Sequence, residues 1–212
     1  MPIILRIDPK NPDKSLIVAA VEILKKGGVI AYPTETFYGL GADAKNVEAV
    51  EKIYDIKGRD YKDPVSIIIG DKQDLTGFAE DVPEVSRRLM EKFWPGGLTL
   101  VFKASSNISP RLTGGTGKIG IRLSSNIIAS HLSKTLSGPI TATSANLSGA
   151  KECSSADEVI NCFKDKIDMV VDGGQTPGGL GSTIVDVTTD PPTILRQGII
   201  PPSLLRYTLR KI

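Results

Sequence analysis

A chain of 212 residues with 26 Lys and Arg against 24 Asp and Glu carries a net charge of +2, so attraction to a polyanion has to come from a local patch and not from overall charge. The length suits one domain that buries roughly two-thirds of its unfolded surface. Residues 1–8 lack the apolar stretch of a signal peptide and no run of about 18 apolar residues could span a bilayer, so a soluble cytoplasmic protein is expected. Cys153 and Cys162, the only cysteines, fall outside any metal-ligand spacing, which argues against a disulfide scaffold or a zinc site and for reduced thiols.

In chain order, Leu16, Ala19, Ala20, Ile23 and Leu24 recur at helical spacing and stop at Gly27-Gly28, where glycine suits a left-handed C-terminal cap. A strand over 29–32 follows and ends at Pro33. Asn46 caps a second helix with Val47, Val50, Ile53 and Tyr54 on one face, delivering Lys57 and Arg59 just past its last turn. Residues 65–69 read as a buried strand. A helix through Val85, Leu89 and Phe93 is stopped by Pro95-Gly96-Gly97, and strands over 98–102 and 119–123 come next. The remaining pattern gives a helix through Ile128, Leu132 and Leu136, a strand over 140–142, a helix near 156–163, strands over 169–171, 183–187 and 193–195, and a final short helix from Pro201-Pro202.

Helices and strands interleave, yet some neighbouring strands are joined by links too short for a crossover helix. Parallel and antiparallel pairs should therefore coexist, in a single α/β domain over 1–212 built on one twisted mixed sheet flanked by helices. No composition shift marks a linker and there is no internal repeat.

Four segments place hydroxyls, fixed positive charge or glycine at the ends of these apolar runs: 33–41 (Pro-Thr-Glu-Thr-Phe-Tyr-Gly-Leu-Gly), Lys57-Gly58-Arg59, Gly120-Ile121-Arg122 and Thr143-Ser144-Ala145-Asn146. Arg offers a planar fork to phosphate or carboxylate and Lys a compact charge, which suits a polyanion site; by spacing alone, ordinary surface charge explains them equally. The hydroxyls and amide of 141–146 can hold a ligand's polar head or cap local backbone. The glycine-rich loop 173–182 is a lid or a long connection rich in turn residues.

Other chemistries are set aside. Residues 115–120 match G-x-G-x-x-G but precede a strand where a dinucleotide fold needs a helix, and Ile119 stands where a P-loop needs Ser or Thr. His131, the sole histidine, lies on an amphipathic helix with no G-x-S-x-G elbow elsewhere. The carboxylates form neither a paired-acid nor an H-E-x-x-H pattern, so any metal arrives with its ligand.

Taken together, Lys57-x-Arg59, Ser144-x-Asn146, the 33–41 motif, Trp94-Pro95-Gly96 and Gly120-Ile121-Arg122 resemble, nearly end to end, the YrdC/TsaC family of threonylcarbamoyl-AMP synthases. The resemblance implies a YrdC-like fold with a concave basic face. It also implies a reaction in which L-threonine, bicarbonate and ATP, with its Mg²⁺, give threonylcarbamoyl-AMP and pyrophosphate. The product feeds a transferase machinery that modifies the adenosine beside the tRNA anticodon.

By the same resemblance, Lys57 and Arg59 act electrostatically in catalysis. Thr36, Arg122, Ala142 and Ser182 face threonine, while Lys57, Arg59, Asp63, Lys118, Ser144, Asn146 and Arg196 face ATP, with Thr34 and Thr141 as second-rank candidates. Such a site works by positioning and charge and needs no side-chain nucleophile. Ile68 stands where some members carry a histidine directed at threonine, Asp60 where many have proline, and Thr143 where some have proline. The linker and C-terminal domain of longer members are missing, so a short single-domain form is expected. The alternative is an RNA-binding module whose basic face tracks phosphates of tRNA or double-stranded RNA. A carbamoyl-transferring domain of hydrogenase maturation would need acylphosphatase and zinc-finger segments that this sequence lacks.

Overall fold

Asp13, Asn46, Asn126 and Ser155 each accept a hydrogen bond from a backbone amide two or three residues ahead, and a helix begins at each of them. In the computed structural model, which describes residues 1–209, the chain runs β1 (Ile3–Arg6), α1 (Lys14–Lys25), β2 (Ile30–Pro33), β3 (Tyr38–Gly41), α2 (Val47–Lys57) and β4 (Ile67–Ile68). After a 3-10 segment, Lys72–Gly77, come α3 (Glu84–Phe93), β5 (Leu98–Lys103), α4 (Pro110–Thr113), β6 (Lys118–Arg122), α5 (Ile127–Leu136), β7 (Ile140–Thr141) and β8 (Thr143–Ser144). The last elements are α6 (Ala156–Phe163), a 3-10 turn at Lys164–Lys166, β9 (Met169–Asp172), β10 (Thr183–Asp186), β11 (Thr193–Arg196) and α7 (Pro202–Leu209). No helix among the described residues is long and apolar enough to cross a membrane.

The α/β class and the mixture of parallel and antiparallel pairs are as expected. The single sheet is corrected to two: β1-β9-β2-β3-β8, and β11-β10-β5-β6-β4-β7. The division falls at Ala142, where β7 ends in one sheet and β8 begins in the other, a one-residue step that hydropathy along 140–144 does not reveal. Strand β3 also escapes a hydropathy reading because glycine is disfavoured in strands. Here Gly39 and Gly41 lie beneath the ring of Tyr32 on β2, and a Cβ on Gly41 would stand 2.8 Å from Tyr32 Cε1.

The two sheets are covered differently. On the five-stranded sheet, Ile30, Tyr32, Met169 and Val171 pack beneath α1 and α5, while Ala31, Leu40 and Val170 pack on the other face beneath α2 and α6. On the six-stranded sheet, Ile67, Leu98, Leu100, Phe102, Ile119, Ile121 and Val185 enter a core shared with α3, α4 and α7. Its opposite face carries Ser66, Thr99 and Arg122, while Ile68 and Ile140 at the β4–β7 edge join the core beneath α1 and α5.

Thr141 sutures the sheets. Its hydroxyl donates to Leu40 O (3.0 Å) and accepts from Ala42 N (2.9 Å), and its carbonyl accepts from Tyr32 OH (2.8 Å). Thr141→Val keeps the shape but takes the acceptor from the buried Ala42 amide, so it is expected to cost about 1–3 kcal/mol in urea unfolding, with an unchanged m-value.

Candidate functional site

Gly58 ends α2 in the left-handed conformation (φ 60°), placing Lys57 in the last turn and throwing Arg59 clear of it. On the six-stranded sheet, period-two alternation puts Ser66, Thr99, Arg122 and Ile184 on the open face, opposite the isoleucines and leucines of the core. A methyl on Gly120 would collide with the Ser66 hydroxyl, which is the reason for glycine in Gly-Ile-Arg. The four-residue link between β2 and β3 hangs Thr34 and Thr36 over that face, and the crossing at Ala142 brings Thr143 and Ser144 to its rim. One cavity results.

Of the residues singled out in the sequence, Thr34, Thr36, Arg59, Arg122, Ala142, Ser144, Ser182 and Arg196 line this cavity. Arg59 is steered by carbonyls, with Nη2 donating to Pro64 O at 3.0 Å and Nε to Asp63 O at 3.4 Å. Arg196 Nη2 donates to the Ser182 hydroxyl at 2.9 Å, and that hydroxyl lies 3.0 Å from Thr99 Oγ1. Burial lowers the pKa of the Arg196 guanidinium, the positive charges of Arg122 and Arg59 lower it further, and Glu152 opposes. Three guanidiniums thus share one space, and Glu152 is the one carboxylate among the residues lining it. Such a cavity attracts phosphate and carboxylate.

Lys57, Asp63, Lys118, Thr141 and Asn146 are not on the wall. The Lys57 ammonium donates to Ser144 O (2.6 Å), Asn146 O (2.7 Å) and Asn146 Oδ1 (3.2 Å) and reaches no open space. Asn146 Oδ1 also accepts from Ser144 Oγ, and its amide donates to Ala150 O, both at 2.6 Å. Lys57 and Asn146 therefore shape the loop that presents Ser144. The Asp63 side chain is exposed and only its carbonyl serves Arg59. Lys118 is paired with Asp186 at 2.9 Å on the open face of the sheet.

Ile68 is fully buried with Tyr32, Ile128 and Ile140 in the core under α1 and α5, and it is Ser66, two positions earlier, that lines the cavity. Ser66, Thr99 and Glu152 are wall residues that sequence reasoning missed. A lone hydroxyl interrupting an apolar strand, in Val65-Ser66-Ile67 and Leu98-Thr99-Leu100, is the signal that could have found the first two. The glycine-rich loop is tied down by Gly178 N donating to Thr36 O (2.8 Å), Thr176 N to Ser154 O (2.8 Å) and Tyr38 OH to Gly174 O (2.7 Å).

Burial lowers the Lys57 ammonium from its ordinary 10.5 to about 8, and Arg59 adds repulsion. A neutral amine has one fewer N–H to share among three acceptors, so organisation of the Ser144 loop should weaken as pH rises through about 8. Stability moves the other way. Between about 8 and 10.5 the unfolded chain holds the proton that the folded one has lost, so the Lys57 contribution to stability rises with pH in that window. Ligand-binding and unfolding titrations over the same range should therefore show opposite slopes.

The family model named for Sua5, YciO and YrdC, and described as telomere recombination, matches residues 22–198. A threonylcarbamoyl-AMP synthase of Bacillus subtilis is 40% identical over 192 residues, covering 90% of this chain and 56% of that protein. P. abyssi Sua5 complexed with L-threonine superposes with a TM-score of 0.94 at 36% identity, across 97% of this chain and 60% of that one. E. coli YciO superposes with a TM-score of 0.89 at 32% identity, across 97% of this chain and 100% of that one. The chain thus spans less than two-thirds of the first two proteins.

Proposed function

The chain belongs to the Sua5/YciO/YrdC family, and from that premise we propose that it is an L-threonylcarbamoyladenylate synthase, converting L-threonine, bicarbonate and ATP to threonylcarbamoyl-AMP, pyrophosphate and water. The observation that carries the reading is the set of three guanidiniums, Arg59, Arg122 and Arg196, around one hydroxyl-lined cavity. The threonine complex of P. abyssi Sua5, whose fold matches this one, supports an amino-acid end to that cavity.

In this proposal Arg122 holds the threonine carboxylate, with Thr36, Ser182 and the Ala142 backbone around the rest of the amino acid. Its amine takes up bicarbonate as a carbamate, whose oxygen attacks the α-phosphorus and expels pyrophosphate. Arg59 and Arg196 stabilise the charge gathering on the phosphates, and enclosure keeps the short-lived carbamate near its target. Ser144 contacts the nucleotide, and Lys57 and Asn146 act through the loop that holds it. Lys118 and Asp63 stand outside the wall, and Thr34 orders Thr36 through the 3.0 Å contact of their hydroxyls. Among the described residues no three His, Cys, Asp or Glu gather as metal ligands, and Mg²⁺ enters as part of the nucleotide complex. The product passes to a threonylcarbamoyl transferase acting on tRNA.

The test is pyrophosphate release by the purified chain with each substrate omitted in turn. Release that requires both threonine and bicarbonate is expected; release indifferent to them sinks the reading. Arg59→Ala should raise the KM for ATP by about tenfold or more and leave the KM for threonine within about threefold, as loss of a charge-assisted phosphate contact predicts. Salt-sensitive binding of RNA without any such release would favour the RNA-binding alternative.

A further inference from the structure

Glu35, between the two threonines of the first motif, is not on the cavity wall. Its side chain is 12% exposed and that of Arg122 is 7% exposed, with Glu35 Oε1 lying 3.2 Å from Arg122 Nη1. The two atoms are close enough for an ion pair but not aligned for a hydrogen bond, and Arg122 Nε is buried without a partner. The other carboxylate oxygen, Oε2, is gripped by the Ser124 hydroxyl, which in turn accepts from Asn126 N (3.1 Å) at the cap of α5. The carboxylate is thus anchored to rigid structure, while the guanidinium it neutralises keeps donors in reserve.

We propose that Glu35 is the positioning residue that makes Arg122 the amino-acid end of the cavity, by cancelling its charge from behind and leaving its free edge for one carboxylate. Among the described residues Arg59 and Arg196 have no ion-paired buried carboxylate of this kind, and with Glu152 as the one carboxylate beside them they present net positive charge suited to phosphate. Arg122 with Glu35 is neutral before any ligand arrives, so it gains little from a polyanion, whereas a monocarboxylate can still fill the unused donors with a bidentate bond. Without Glu35 the cavity would hold three guanidiniums against the single wall carboxylate of Glu152, and its two ends would compete for the same phosphates.

This inference rests on Arg122 receiving the amino-acid carboxylate. Its test combines kinetics with equilibrium binding. In Glu35→Gln the KM for threonine should rise about 10- to 100-fold with kcat and the KM for ATP within about threefold, and pyrophosphate should inhibit roughly 3- to 10-fold more strongly. A loss of packing alone would not strengthen any affinity. Glu35→Asp should recover most of the threonine affinity, and Ser124→Ala should show the same direction at smaller size; these two carry the test if Glu35→Gln does not fold. Calorimetry with L-threonine and with pyrophosphate reads the same exchange without turnover, so it remains decisive even if the wild type proves not to be a synthase. Unchanged threonine binding in Glu35→Gln, parallel loss of threonine and pyrophosphate, or a wild type that binds no amino-acid carboxylate would overturn the inference.

Discussion

Arg122→Ala is expected to reduce kcat/KM for threonine by roughly 10²- to 10³-fold, the largest kinetic effect of any single substitution here, equal to about 3–4 kcal/mol of lost transition-state stabilisation. Arg122 is 6% exposed on β6, opposite Ile68 of β4. Arg59 and Arg196 are each held by a loop carbonyl, Pro64 O and Ser182 O. The substitution also strands Glu35, and breaking a buried ion pair from one side costs about 3–5 kcal/mol of stability. The double variant Arg122→Ala, Glu35→Gln removes the stranded charge and should recover part of that stability without recovering activity. Urea unfolding and threonine titration of the single and double variants separate the two losses. Recovery of activity along with stability would show that Arg122 serves the fold alone.

Lys57→Met carries the second large effect, and its target is a loop. Methionine fills much the same volume, but Ser144 O, Asn146 O and Asn146 Oδ1 lose their common donor at a position that is 3% exposed. Ser144 O keeps the Asn146 amide and Asn146 Oδ1 keeps the Ser144 hydroxyl, so Asn146 O is the acceptor left without a donor and a loss of about 1–3 kcal/mol is expected, with some relief because a buried charge is removed as well. The same change releases Ser144, so the KM for ATP should rise by about tenfold or more while that for threonine rises less. Equal effects on both substrates would mean that the loop does not belong to one end of the cavity. An unchanged unfolding midpoint would mean that the three hydrogen bonds contribute nothing.

Much of the fold was legible because the apolar runs are clean. Leu16 to Leu24, Val50 to Tyr54 and Ile128 to Leu136 carry helical spacing, and the helices they mark lie where that spacing and the caps place them. What stayed hidden depends on contacts between distant residues. Gly39 and Gly41 read as breakers until Tyr32 is seen lying over them, and the step at Ala142 separates two sheets within a run that reads as continuous. The site divides along the same line. Residue type pointed to Arg59, Arg122 and Ser144, the family resemblance added Arg196, and all four line the cavity. Lys57 and Lys118 are cations of the same apparent promise, yet one is spent on carbonyls beneath a loop and the other on Asp186; which charge is free is decided by tertiary partners. Burial raises Asp186, and hydrogen bonds from Thr188 and Lys118 outweigh it, holding the carboxyl below its ordinary range.

In the proposed reaction three guanidiniums join a carbamate to a nucleotide in one cavity. The most direct measurement follows the carbon. The purified chain is supplied with ATP, Mg²⁺, L-threonine and carbon-13-labelled bicarbonate, and the nucleotide products are read by mass spectrometry. Threonylcarbamoyl-AMP carrying the label, formed in step with pyrophosphate and lost in Arg122→Ala, is the expected product. Pyrophosphate or AMP formed with no labelled adenylate, or adenylate formed equally without threonine, would contradict the proposed reaction.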